Sequence, residues 1–476
     1  MKLTLSALLS ALLCSVGASA ADKPNILFII ADQHMVDALS CAGNPYVKTP
    51  NLDRLAARGL RFTRSYVAYP LCVPSRASLF SSRMPHELEI YGNTLGTDLA
   101  DKKVPTMGEL MRTGGYETAY AGKWHVHEGF PAYAASAKRK SIPGFDLLPV
   151  SGGKDPRKGD KKTDEKGPQC DPFTAEAGIK FLGEKHNKPF LLTVSLLNPH
   201  DICEFPYFAG FKTMAPKEEA QLPPLRPNFN DTDKLPEAAN DRKALKGAWG
   251  HSKWEELRWR QYQWTYYRLV EGTDKLIGDI LTALENSPHK DNTIVIYTSD
   301  HGEMLGSHRM VSKEKLYEEA VNVPLIIAPP GHVGVVDKTH NVIGMDIMPT
   351  LLDYAGVAAP ASLRGKSLRP LVEGKPFAER EYVASESFDP EARMIRTARY
   401  KYIRYAFGER REQFFDLESD PHEMKNLIGE TSLAQEIERH RGYLADWMKL
   451  THDLEEGKGT AILAKIKARE GDEEGK

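Results

Sequence analysis

Apolar residues in this chain gather into a few unbroken runs separated by amphipathic stretches. Residues 25–31 are almost wholly apolar and rich in β-branched side chains, the pattern of a strand covered on both faces of a parallel sheet. Residues 190–196 and 293–298 read the same way. Helical patterns lie between them. Residues 106–112 stop at Gly114-Gly115, and residues 254–286 carry apolar side chains at Leu269, Leu276, Ile277, Ile280, Leu281 and Leu284. Buried strands alternating with helices predict an α/β fold: a large doubly wound, mostly parallel sheet sandwiched by helices. Ligands in such sheets bind beyond the carboxyl ends of the strands. Asp32 and Asp300 stand at or just past two of those ends.

The pattern changes after about Glu373. Residues 382–385, 394–397 and 400–405 read as short, more polar strands and residues 433–450 as a closing helix, predicting a smaller C-terminal α+β domain with an antiparallel sheet. The division expected is a signal peptide over 1–20, a catalytic domain over 21–372 and the C-terminal subdomain over 373–476, ending in a charged tail at 465–476. Charged stretches at 154–166 and 216–246 lack apolar periodicity and read as surface insertions.

At the amino terminus, Lys2 precedes an apolar run over residues 5–16, which closes in Ala18-Ser-Ala20 before Asp22 and Lys23. That is the layout of a secretory signal peptide cut near Ala20. The run is shorter than the roughly 20 residues a bilayer requires. A periplasmic or secreted protein without stable membrane insertion is therefore expected. A net charge of −2 gives no attraction for nucleic acid. Besides Cys72, the mature cysteines are Cys41, Cys170 and Cys203, so an oxidising compartment permits one disulfide and leaves the pairing open.

The candidate chemistry centres on Cys72-Val-Pro74-Ser-Arg76. On its own Cys72 reads equally as a buried thiol beside a turn proline. Its company changes that reading. Asn25-Ile-Leu-Phe-Ile-Ile-Ala-Asp32, Gly122-Lys-Trp-His125, Asn198-Pro-His200, Thr298-Ser-Asp-His-Gly-Glu303, Asp346-Ile-Met-Pro-Thr350 and Asp416-Leu-Glu-Ser-Asp-Pro-His-Glu423 occur in that order. With the Cys72 motif they resemble the type I, formylglycine-dependent sulfatases of the alkaline phosphatase superfamily, across nearly the whole mature chain.

The resemblance implies that a formylglycine-generating or anaerobic maturing enzyme oxidises Cys72 to formylglycine. Its hydrate carries two hydroxyls on one carbon, one to attack sulfur and one to expel the sulfate afterwards, which a serine lacks. By the same resemblance Arg76 holds the hydroxylate, and Lys123 and Lys313 touch the sulfate. His125 is the base of sulfate release and His200 the acid that protonates the leaving oxygen. Read alone, Lys313 is equally a solvated loop charge. Asp32, Asp300 and His301, with the Cys72 position, are the implied ligands of one divalent metal. The family points to Ca²⁺, while a histidine ligand leaves Mn²⁺ open. Gln33 occupies a position where most of the family carries a second aspartate. Its amide oxygen could complete the metal set, or its NH₂ could meet a substrate oxygen. In this it resembles choline sulfatases and phosphonate monoester hydrolases.

Phe80-Ser-Ser-Arg83 departs from the common Leu-Thr-Gly-Arg, with Ser82 in place of a glycine. His34, His127, His308 and Asn93 lie near the motifs as secondary pocket candidates. The activity implied is removal of sulfate from a sulfated substrate, a carbohydrate or glycan by family habit. Basic runs at 138–140 and 157–162 suit a polyanion, though solvated loops explain them as well. Two alternatives stand beside it: a phosphonate or phosphate ester hydrolase, favoured by Gln33, and a non-catalytic glycan-binding pseudo-sulfatase. Retention of the thiol, both histidines and both lysines speaks against the last.

Overall fold

The computed structural model describes residues 23–93, 98–126, 141–149, 171–207, 215–216, 218–231, 235–236, 251–388, 391–453 and 461. The signal peptide, the basic runs at 138–140 and 157–162, the 154–166 stretch, the 465–476 tail, His127 and Cys170 lie outside the described residues.

In chain order the strands are β1 (Asn25–Asp32), β2 (Leu60–Phe62), β3 (Ser65–Tyr66), β4 (Glu117–Gly122), β5 (Ser141–Ile142), β6 (Phe145–Leu147), β7 (Phe190–Pro199), β8 (Thr293–Ser299), β9 (Leu325–Ala328), β10 (Val335–Asp337), β11 (Val342–Ile343), β12 (Val383–Phe388), β13 (Glu391–Arg396), β14 (Tyr400–Tyr405) and β15 (Glu412–Asp416). Nine of them form one mixed, mostly parallel sheet in the order β10-β2-β9-β8-β1-β7-β4-β6-β5. β1 lies parallel to both β7 and β8, at the centre. β9 turns antiparallel to β8.

The apolar run of β1 is buried along its whole length, and alternate residues enter two different cores. Ile26, Phe28 and Ile30 pack with residues of the Cys72–Ser81, Met107–Thr113 and Ile347–Ala355 helices. Leu27, Ile29 and Ala31 pack with those of the Pro50–Ala56, Asp171–Leu182 and Glu256–Glu285 helices. This is the period-two signature of a strand covered on both faces. The Met107–Thr113 helix starts at Thr106, whose hydroxyl accepts from Glu109 N while Glu109 accepts from Thr106 N, a reciprocal cap.

The C-terminal sheet is antiparallel in the order β12-β13-β14-β15. The Ala434–Thr451 helix covers it with Ile437, Leu444 and Trp447, against Met394, Ile395, Tyr402, Ile403 and Phe414. β12 is longer than the sequence pattern predicts, β13 is offset, and β15 is absent from the prediction.

The sequence reading of residues 216–246 as a surface insertion needs correction in its described part. Leu222, Asn228 and Phe229 are buried. Arg226 pairs with Asp37 at 2.7 Å, and Asn228 Nδ2 donates to Glu319 Oε1 at 3.0 Å. The segment is held by polar side chains on an irregular backbone, which leaves no apolar period to detect.

Among the described residues no helix is long and apolar enough to cross a membrane. Cys41, Cys72 and Cys203 are free thiols.

Candidate active site

Four neighbouring strands, β8, β1, β7 and β4, deliver their carboxyl ends to one place. Asp32 ends β1 and Gln33 follows it. Lys123 follows β4, His200 follows β7, and Asp300-His301 follow β8. Gly122 makes one of these turns feasible: its φ is +96°, and a Cβ there would lie 2.1 Å from Ser195 O.

The Cys72–Ser81 helix points its first turn at this edge. Pro74 sits within that turn, where a missing N–H costs nothing. No side chain of Leu71 caps the helix; instead Asn93 Oδ1 accepts from Val73 N at 2.9 Å. Asn93 thus supports the cysteine-bearing turn. At the other end Ser82 takes the left-handed conformation, φ 52°, that explains a glycine preference here, and its hydroxyl donates to Met345 O at 2.8 Å.

Cys72 is 1% exposed. Its Sγ lies 3.2 Å from His301 Nε2, 3.3 Å from Lys313 Nζ and 3.8 Å from Asp32 Oδ1. Arg76, one helical turn on, is fully buried. Its Nε donates to Asp300 Oδ2 at 2.7 Å, one terminal nitrogen to Asp32 Oδ2 at 3.1 Å, and the other to Ser195 Oγ and Lys123 O at 2.9 and 2.8 Å. Lys123 Nζ reaches Asp32 Oδ2 at 2.6 Å. Lys313 is 9% exposed and donates to Gln33 Oε1 at 2.8 Å, so it is not a solvated loop charge.

Charge follows geometry. Burial works to raise the Asp32 carboxyl, but Lys123, His200, Arg76 and His301 together hold it well below the usual range. Burial and Asp32 oppose ionisation of Cys72, yet Lys123, Lys313 and His301 bring its thiol well below the ordinary value. Burial and then the Asp32 charge raise Asp300. Burial, Lys313 and Lys123 lower His200 to about 4. Burial and Lys123 lower His125, whose contact with Cys72 works the other way.

The donor set suits a divalent cation. One ligand atom each from Asp32, Cys72, Asp300 and His301 lie within 4.8 Å of one another, and all four residues are buried. Carboxylates with an imidazole accommodate either a calcium-type or a manganese-type ion. A second cluster, His86, Glu386 and Asp453, does not suit one. Both ring nitrogens of His86 already face acceptors, Glu386 Oε2 at 2.6 Å and Thr451 O at 3.1 Å, and leave no lone pair for a cation.

Sequence reasoning missed several supports. Ser195 anchors Arg76, and Ser75 donates to Asp300 O. Asp171 accepts from Leu197 N and Asn198 N at 2.6 and 2.7 Å, bracing the chain that leads to His200. Glu303 was visible only as part of the Thr298–Glu303 motif, without a role. His34 bonds Tyr297 and Ala38 O, and His308 faces Asn228, so both secondary candidates brace the scaffold.

Residues 24–357 match the family profile described as Sulfatase, and residues 306–449 match the profile of the N-sulphoglucosamine sulphohydrolase C-terminal region. The chain belongs to the sulfatase family. As a member of that family within the alkaline phosphatase superfamily, it is a sulfuric ester hydrolase. It is similar to a Delta 4,5-hexuronate-2-O-sulfatase of Bacteroides thetaiotaomicron, 33% identical over 93% of this chain and 92% of that one. An ulvan-active sulfatase of Formosa agariphila is 32% identical over 86% and 77%. Among solved structures, a 2-O GAG sulfatase superposes with a TM-score of 0.76 at 30% identity, covering 90% of this chain and 93% of that one. The phosphonate monoester hydrolase of Agrobacterium radiobacter shares the fold, with a TM-score of 0.74 at 24% identity over 90% and 96%.

Proposed function

We propose that this sulfatase removes sulfate from a sulfated carbohydrate or glycan, with formylglycine made from Cys72 as nucleophile. The observation that carries the reading is the focus on the Cys72 sulfur: His301, Lys313 and Asp32 surround it, and His125 and His200 border it. Relatives of this chain act on hexuronate and ulvan sulfates by name, which supports the substrate class.

Formylglycine, once formed by the maturing enzyme, supplies a hydrated aldehyde with two hydroxyls on one carbon. Asp32, Asp300 and His301, with residue 72, would hold one divalent cation, Ca²⁺ by family and Mn²⁺ by the histidine, and the cation would supply positive charge to the sulfate oxygens; Gln33, expected from the sequence as a further ligand, gives its oxygen to Lys313 instead. The remaining work belongs to the encoded side chains. Lys123 and Lys313 are held by Asp32 and Gln33 close to residue 72, placed to neutralise an incoming sulfate. Burial keeps His125 neutral, ready to accept a proton. A sulfate ester brings negative charge that offsets Lys313 and Lys123, and so favours the protonated His200 that a leaving oxygen requires. Arg76 fixes both aspartates.

The proposal extends to organisation and location: a signal peptide over 1–20 cut near Ala20, a catalytic unit over 21–372, a C-terminal unit over 373–476, and a periplasmic or secreted product. A second reading, phosphonate or phosphate ester hydrolysis at the same site, rests on Gln33. Two measurements test the proposal. Mass spectrometry of the tryptic peptide 65–76, from protein made alongside a maturing enzyme, is expected to find formylglycine at Cys72; an intact thiol beside a matured control sulfatase would remove the mechanism. Rates on aryl sulfate are expected to exceed those on aryl phosphonate, and the reverse order would establish the second reading.

A further inference from the structure

Glu303 is fully buried beside Gln33, and its carboxyl meets four polar groups. Oε1 accepts from Tyr262 Oη at 2.7 Å, Leu305 N at 3.0 Å and Ser312 N at 2.7 Å. Oε2 accepts from Gln33 Nε2 at 2.5 Å. An ammonium has only donors, so the Gln33 oxygen faces Lys313 at 2.8 Å and its NH₂ is turned toward Glu303. Backbone geometry agrees, since Gln33 sits at φ 71° with its N–H on Asp300 Oδ1 at 3.2 Å.

We infer that Glu303 is a positioning residue for desulfation: through the Gln33 amide it holds the Lys313 ammonium against residue 72. Where an aspartate at position 33 would set a negative charge against the lysine, a neutral carbonyl meets it instead. Lys313 therefore keeps its full positive charge for an oxyanion while its position stays fixed. Tyr262, on the long Glu256–Glu285 helix, anchors the far end of the chain of bonds. The inference rests on the assignment of Lys313 to the sulfate group.

The test is a pair of substitutions, alone and together. In Glu303→Gln the new amide presents NH₂ to Gln33, which must turn its oxygen toward it and its own NH₂ toward Lys313. Gln33→Met removes the oxygen at similar length. The crystal structure of either variant is expected to have Lys313 Nζ withdrawn from its 3.3 Å contact with residue 72; an unmoved lysine overturns the inference. In the matured enzyme each single variant is expected to lower kcat/KM on a sulfated sugar on the order of tenfold or more. The double variant is expected to be no worse than the poorer single, because both break one chain of bonds. Fully additive losses would mean that Glu303 acts only on stability. Should Glu303→Gln fail to fold, Gln33→Met and its crystal structure decide. Turnover by the parent enzyme tests the sulfatase reading separately, and the lysine position is read without it.

Discussion

His86 joins the two sheets through a charge that can be titrated. It lies in the short turn after the Cys72–Ser81 helix, 2% exposed at its side chain. Nδ1 is 2.6 Å from Glu386 Oε2 on β12, and Nε2 is 3.1 Å from Thr451 O at the end of the C-terminal helix. Both ring nitrogens face acceptors, which requires a proton on each. Burial opposes that charge, but Glu386, Asp453 and the Thr451 carbonyl raise the imidazole to about 9 from an ordinary 6.5. A shift of that size corresponds to about 3 kcal/mol at 1.36 kcal/mol per unit. Because the folded value is the higher one, this stabilisation is complete below about pH 6.5, declines as pH rises, and is gone above about pH 9. The perturbation is His86→Gln, which keeps a hydrogen bond and removes the charge. Chemical denaturation of parent and variant from pH 6 to pH 10 is the assay, and their difference in stability is expected to shrink by about 3 kcal/mol across that range. A difference that stays constant would refute the imidazolium assignment.

Two further outcomes follow from the site and its support. Arg76→Ala leaves Asp32 and Asp300 buried without their shared partner and is expected to destabilise the metal-free protein by about 3–5 kcal/mol. Part of that loss should be recovered on adding Ca²⁺ or Mn²⁺, read as melting temperature with chelator and with metal; identical losses under both conditions would argue against a cation between those carboxylates. Gly302→Ala places a Cβ 1.9 Å from Glu319 O, where the backbone itself must move. A loss of about 1–3 kcal/mol in denaturation is expected, with weakened activity, and a variant as stable as the parent would contradict the close approach.

The sequence carried the central sheet because residues 25–31, 190–196 and 293–298 are apolar on both faces, and such runs fit few other settings. It placed Asp32 and Asp300 at one edge because each stands at or just past the end of such a run, whereas Lys123 and His200 came from the family resemblance alone, the strand before Lys123 having gone unread. β15 escaped notice: its residues, 412–416, mix charged and aromatic side chains, and Asp416 belongs to a motif read for its resemblance. Glu412 on β15 pairs with Arg441 of the closing helix at 2.8 Å, a partnership no local pattern encodes. The supports Ser195, Asp171 and Glu303 were equally hidden. Their significance lies in what they touch across long stretches of chain, and polar residues on or beside strands look alike until the fold brings their partners in.

The C-terminal sheet is stitched to the segments that carry the reaction centre. Ser385 Oγ and Glu386 N bond the carbonyls of Val67 and Ala68, just before the Cys72 motif, and Ser387 Oγ bonds Glu314 O, next to Lys313. Glu423 accepts from Glu318 N at 2.7 Å and pairs with Lys401 at 2.8 Å. The segment it steadies in turn takes the backbone N–H groups of Gly302 and Glu303. Recombination between relatives would therefore have to carry β12, the Glu423 loop and the segment over 300–322 as one block, or else rebuild every seam at once. Selection acting on the C-terminal strands is tethered to the geometry of the reaction centre, and drift in the one is paced by tolerance in the other.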